Sequence, residues 1–174
     1  TPIDKNNKIK KVMIENVSKE ISFFLKDDDL IILRSTVEVG TTAYLDKKFF
    51  KKTGKKYEIA FCPERTIEGK AMVELQKLPQ IIGSESVNTL SRVAQFFSFM
   101  TPTVVRVSTK ETAELIKLID NSQRDVSFAL SNEIAEIADA YSISAYEVIS
   151  SGKLGYPRTN LPIPGPVGGP CLEK

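Results

Sequence analysis

At 174 residues the chain is long enough for one domain with a real core, or one and a half. A formal net charge of +2, from 24 basic and 22 acidic residues, argues against a dominant nucleic-acid or other polyanion-binding role but leaves room for a local phosphate site. Only two cysteines and no histidine are present, which excludes a disulfide framework, a Ser-His-Asp or Cys-His hydrolase and a His/Cys zinc site within this segment.

Met13, Val17, Ile21 and Leu25 recur every fourth residue, which predicts a helix from about Ile9 to Leu25 packing that face on a core. Leu30-Ile31-Ile32-Leu33 is a continuous apolar run of the kind buried parallel strands show. Gly40-Thr41-Thr42 then opens a helix running to about Lys52. Tyr57 to Cys62 reads as a second strand stopped by Pro63, and Gln80 to Gly83 as a third. Leu90, Val93, Ala94 and Phe97 mark a helix between Ser86 and Met100, and Thr103 to Val107 is a fourth strand. This alternation predicts an α/β domain with a mainly parallel sheet.

Beyond a boundary placed at residue 108 the pattern changes. Lys110 to Ala140 contains no Gly or Pro and predicts one helix of about 45 Å at ~1.5 Å per residue, too long for a small domain and suited to linking and to packing on a partner. Its apolar positions include Ala113, Ile116, Ile119, Val126, Leu130, Ile134 and Ala138. A short helix from Ser144 to Ser150 follows. The tail from Pro157 to Pro170 holds five prolines and three glycines, a composition shared by shaped loops and linkers, and ends in Gly168-Gly169-Pro170-Cys171. No run approaches the ~18–20 apolar residues of a membrane span, no signal-peptide pattern stands at the start, and two cysteines that make no disulfide framework leave a reducing cytoplasm as the default expectation.

Some residues carry chemistry in their own right. Cys171 after a Gly-Gly pair is either a structural thiol or a nucleophile that a ligand can approach closely. Cys62, at a strand end, is expected to pack. Lys117 and Asn121 stand four apart on one helix face, about 6 Å from each other. They read as a solvated face or as a pair that binds a developing oxyanion. Glu64, Arg65 and Glu68 lie in a loop after a strand, where parallel sheets hold their ligands, and Thr36 is a hydroxyl at another strand end. Surface carboxylates and a strand-end hydroxyl are the plain alternatives.

Five blocks, in order, resemble the UDP-glucose/GDP-mannose dehydrogenase family over nearly the whole chain. They are Thr1-Pro2, Arg34-Ser35-Thr36-Val37 with Gly40-Thr41-Thr42, Cys62-Pro63-Glu64-Arg65 with Glu68-Gly69, Glu114 to Asn121, and Pro164 to Cys171. The resemblance implies a Rossmann-like NAD-binding domain, here its second half at residues 1–108, then a central helical domain with the catalytic-cysteine loop at 109–174. The chain is expected to be an internal fragment of a larger enzyme, inactive alone. The glycine-rich dinucleotide loop would lie upstream of Thr1, and the family's aspartate base at position 175.

The resemblance further implies NAD-dependent oxidation of the C6 alcohol of a UDP-sugar through a cysteine thiohemiacetal and thioester. Cys171 matches the nucleophile, Lys117 and Asn121 the oxyanion pair, Glu68 the residue tied to the hydrolytic water, and Thr36 a threonine near C6. Thr1, Pro2, Ser35, Thr36 and Glu64 are expected on the cofactor. Glu64, Arg65, Lys117, Asn121, Arg158 and Gly168 are expected on the substrate, with no metal. The tail loop looks closer to the UDP-N-acetylhexosamine branch, such as N-acetylmannosamine, than to UDP-glucose 6-dehydrogenases. A cytoplasmic homodimer through the long helix is expected, and a non-catalytic dimerisation module is the alternative of another class. Two-domain hydroxyacid dehydrogenases share the plan but need no cysteine nucleophile.

Overall fold

In a computed structural model, which describes residues 11–67 and 69–167, the four apolar runs form one sheet in the order β1 (Asp29–Leu33), β2 (Tyr57–Phe61), β3 (Gln80–Gly83) and β4 (Val104–Val107). β1 pairs with β2 and β3 with β4 in parallel, as the sequence predicts. β2 and β3 meet antiparallel through the single pair Phe61 and Gly83, so the sheet is mostly parallel. The period of two sorts side chains between its faces. Ile31, Leu33, Phe61 and Ile81 join Leu25, Val37, Leu45 and Phe50 on one side. Ala60, Cys62 and Ile82 meet Val93, Ala94 and Phe97 of α4 (Val87–Phe97) on the other.

α1 (Val12–Phe24) forms where expected but turns a different face inward. Met13 and Val17 are 62% and 53% exposed, while Ser18 and Leu25 are buried and Ile14 packs on the core. A strict spacing of four winds by about 120° between residues 13 and 25, because each step overshoots a 3.6-residue turn. Those four residues therefore cannot share one contact line. The next helix begins as α2 (Thr41–Leu45), widens into a π turn at Asp46–Phe50 and tightens at Lys51–Thr53. The wide turn places Leu45 and Phe50, five apart, together in the core. A short helix that sequence patterning missed, α3 (Ala71–Leu75), precedes β3. Five residues are too few to display a helical period.

α5 (Lys110–Ala140) spans the predicted range, and the chain divides within it into two compact units, one ending at Leu118 and the other starting at Ile119. In the first unit α5 starts against β3. A Cβ at Gly83 would lie 2.4 Å from the Thr109 carbonyl oxygen and 2.7 Å from the Ala113 Cβ. Gly83→Ala is therefore expected to destabilise the protein by about 1–3 kcal/mol, through a contact that backbone must relieve. A lower urea midpoint at unchanged slope is the reading that checks it.

In the second unit α6 (Ala145–Gly152) is capped by Ser144, whose hydroxyl accepts from the Glu147 amide. The tail is held on α5 by Ser131 and Asn132. Ser131 donates to the Pro162 carbonyl at 2.8 Å. The Asn132 amide both donates to the Gly165 carbonyl at 2.8 Å and accepts from the Gly165 N–H at 2.9 Å. A two-point bond of this kind fixes the register of a proline-rich segment that has few amides to offer a ladder.

Candidate active site

Because β1 and β2 are parallel, the segments that leave them emerge at the same end of the sheet. Their pairing outlasts the strands. The Cys62 amide donates to the Leu33 carbonyl at 2.8 Å, and the Glu64 amide to the Arg34 carbonyl at 3.2 Å. Arg34-Ser35-Thr36 is thereby laid beside Pro63-Glu64-Arg65, the crevice position where open α/β sheets hold ligands. Ser35 is exposed, and Thr36 and Arg65 are half-buried.

Arg34 organises this end of the sheet. Its guanidinium donates to Glu64 at 2.6 Å and to Gln80 Oε1 at 3.3 Å, and lies 5.1 Å from the Phe97 ring centroid. The other Glu64 oxygen accepts from the Thr66 amide at 2.9 Å. Partial burial pushes the Glu64 carboxyl up, but the Thr66 hydrogen bonds and the Arg34 charge outweigh this and hold it below the ordinary carboxylate value. Glu64 is thus an oriented anion with lone pairs to spare and 45% of its side chain exposed. Cys62, two residues before it on extended chain, is the opposite case. It is fully buried, and burial pushes its thiol up to about 12 against a small opposing effect of Arg34. It is a packing residue, as its strand-end position suggested.

A second cluster joins the loop after β1 to α5. Glu114, 1% exposed, accepts from the Gly40 amide at 2.6 Å, the Thr42 amide at 2.8 Å and the Thr42 hydroxyl at 2.5 Å. Gly40 adopts φ +86°, a backbone that favours glycine and turns its N–H to the carboxylate. Lys117 follows Glu114 by three residues and is half-buried, and Asn121 lies one turn further along the same helix. In the second unit Arg158 is exposed and stacks on Tyr156, 4.6 Å from its ring centroid.

The structure therefore places Ser35, Thr36, Glu64 and Arg65 together at one end of the sheet. Lys117 lies on the part of α5 that belongs to the first unit, and Asn121 on the part that belongs to the second. Thr1, Pro2, Glu68, Gly168 and Cys171 lie outside the described residues. Sequence reasoning missed Arg34 and Gln80 as the frame for Glu64, and Asn132 as the tail's clamp. It quoted Glu114 in a family block without a role. The available signal was a carboxylate between the core-facing Ala113 and Ile116. A concavity of about 590 Å³ lies instead at the amino-terminal ends of β1 and β2, lined by Asp28, Asp46, Lys51, Lys55, Tyr57 and Arg92. It lies at the opposite end of the strands from these groups. No described helix is long and apolar enough to cross a membrane. Among the described residues no group of metal-ligating side chains gathers.

These features define the second half of a Rossmann-like sheet followed by a long-helix segment. The chain belongs to the UDP-glucose/GDP-mannose dehydrogenase family: residues 1–101 match the family's NAD binding domain and residues 111–174 its central domain. It is 34% identical to the UDP-N-acetyl-D-mannosamine dehydrogenase of Yersinia pestis over 99% of this chain and 44% of that protein. It is likewise 34% identical to the enzyme of that name from Methanococcus maripaludis over 86% of this chain and 34% of that protein. Among solved structures it matches a UDP-D-ManNAc dehydrogenase from Pyrococcus horikoshii with a TM-score of 0.91 at 29% identity, covering 99% of this chain and 42% of that one. The chain thus spans roughly two fifths of the length of such relatives.

Proposed function

We propose that the intact protein oxidises the C6 alcohol of a UDP-sugar, UDP-N-acetylmannosamine before UDP-glucose, to the uronic acid. The observation that carries this is the side-by-side exit of Arg34-Ser35-Thr36 and Pro63-Glu64-Arg65 at the carboxyl ends of parallel strands. Support for the sugar comes from relatives named as UDP-N-acetyl-D-mannosamine dehydrogenases. The domain boundary proposed for this reading is residue 108.

The groups at this crevice fit NAD. An exposed Ser35 hydroxyl and a tethered, half-exposed Glu64 carboxylate are a donor and acceptor set suited to ribose and amide groups. Ser35, Thr36 and Glu64 would hold the cofactor, with Thr1 and Pro2. NAD, when bound, would supply the hydride acceptor, a fresh molecule for each of the two hydrides that leave C6.

The remaining chemistry falls to side chains. Once C6 is an aldehyde, the Cys171 thiolate adds to it, forming a C–S bond as the carbonyl oxygen takes a proton. Loss of the second hydride and that proton gives a thioester. Water then adds to the thioester carbonyl, and collapse breaks the C–S bond to release carboxylate and regenerate thiolate. Lys117 and Asn121 hold the oxygen anion at C6. Glu68 orients the water, and Thr36 sets the alcohol and later the water near C6. Glu64, Arg65, Arg158 and Gly168 hold the sugar nucleotide. The apolar Ile119, Val126, Leu130 and Ile137 stay exposed within the second unit, which supports a homodimer through α5.

The test is an assay of the intact protein with UDP-N-acetylmannosamine and UDP-glucose, following NADH and acid together. Two NADH per uronate with preference for the N-acetyl sugar is the expected result. One NADH per sugar, or turnover of neither, would overturn the reading. Sedimentation of the same preparation is expected to show a dimer, and a strict monomer would remove the proposed role of α5.

A further inference from the structure

Glu114 is a buried carboxylate that, among the described residues, accepts from the Gly40 and Thr42 amides and from the Thr42 Oγ1 hydroxyl. An ionised carboxylate is costly to bury, and these donors at the start of α2 offset that cost. Packing alone does not call for such a group. Buried ionic groups replaced by well-packed apolar ones of the same volume are often neutral for stability. What the charge adds is direction, since three donors at 2.5–2.8 Å fix where α5 stands relative to the loop after β1.

That loop carries Thr36. It is tied at its beginning by Arg34 to Glu64, in its middle by the buried Val37, and at its end by Glu114. Lys117 follows Glu114 by three residues, which puts their Cβ atoms on one helix face about 5–6 Å apart. One carboxylate therefore couples the segment bearing the Thr36 hydroxyl to the helix turn bearing the Lys117 ammonium. All of these residues lie in the first unit.

We infer that Glu114 is a positioning residue that sets the separation between Thr36 and Lys117 for reaction at C6, an inference that rests on the nucleotide-sugar dehydrogenase reading above. Glu114→Asp keeps the charge but withdraws it by one methylene, ~1.5 Å. In the intact protein it is expected to lower kcat by about 10²-fold, the scale of a one-ångström misplacement. The KM for UDP-sugar should stay within about threefold, because the oxyanion at C6 that Lys117 would meet develops only during the reaction. UDP-sugar affinity measured by calorimetry without NAD should match wild type, and amide exchange across residues 37–42 should quicken. Thr42→Val, which removes only the hydroxyl donor, should shift kcat in the same direction by less, and Thr42→Ser should restore it.

A purely structural Glu114 would lower Tm and leave kcat per folded molecule at the wild-type value in both Glu114→Asp and Thr42→Val, and that result overturns the inference. If Glu114→Asp does not fold, the Thr42→Val and Thr42→Ser pair decides by the same criterion. A wild-type protein that reduces no NAD with any UDP-sugar sinks the reading itself. An active wild type with unaffected variants sinks only the role of Glu114.

Discussion

Cys171→Ser in the intact protein is expected to lower uronate formation by about 10³–10⁶-fold, the range over which loss of a covalent nucleophile is felt. The reasoning is chemical. A thiolate is available near neutral pH and leaves readily from a thioester, whereas a serine hydroxyl stays protonated and its ester collapses slowly. UDP-sugar binding should survive, since the sulfur meets the substrate only at C6. Mass spectrometry of the variant with substrate should show no thioester and at most a trapped ester. In the wild type, iodoacetamide at pH 8 should label Cys171 and spare Cys62, whose thiol is buried and pushed up to about 12. UDP-sugar should slow the Cys171 labelling. Undiminished uronate formation by Cys171→Ser would end the covalent mechanism, and labelling at Cys62 alone would reverse the assignment of the two thiols.

The elements that sequence patterning located are those whose signal is local. Leu30 to Leu33 is apolar on both faces because α1 and α2 cover one side of the sheet and α4 the other, so the run needs no partner to be recognised. Lys110 to Ala140 is free of helix breakers throughout, and the helix follows it to the residue. What escaped was set by distant chain. The inward face of α1 depends on where β1 and the π turn lie, and Ile14 and Ser18 win over Met13 and Val17 for that reason. The antiparallel meeting of β2 and β3 hangs on one residue pair, Phe61 with Gly83, which leaves no trace in composition.

The same holds at the candidate site. Single residues such as Thr36, Glu64 and Lys117 stood out through family blocks. The groups that orient them did not, because their partners are far away in sequence. Arg34 reaches Glu64 across 30 residues, Glu114 reaches Thr42 across 72, and Asn132 grips Gly165 across 33. A carboxylate on a core-facing helix position is a usable hint for Glu114. For Asn132, one polar residue among many on a solvated helix, no local hint exists.

Lys117→Met is expected to reduce kcat by about 10²–10³-fold, the usual loss when one oxyanion donor is removed. Methionine keeps the length and most of the apolar stem, so packing on α5 is conserved while the ammonium is lost. The charge matters at the moments when oxygen at C6 becomes anionic: as the alcohol loses its proton, as thiolate adds, and as water attacks the thioester. It matters little to the neutral ground state, so KM should move far less than kcat. Asn121→Ala, which removes a neutral donor one turn away, should cost less than Lys117→Met. If both act on one oxygen the double variant should lose less than the sum in free energy. Steady-state kinetics on the two singles and the double supply the comparison. Strict additivity would place the two side chains on different atoms. A Lys117→Met protein that turns over at the wild-type rate would take the ammonium out of the reaction and leave this face of α5 as solvated surface.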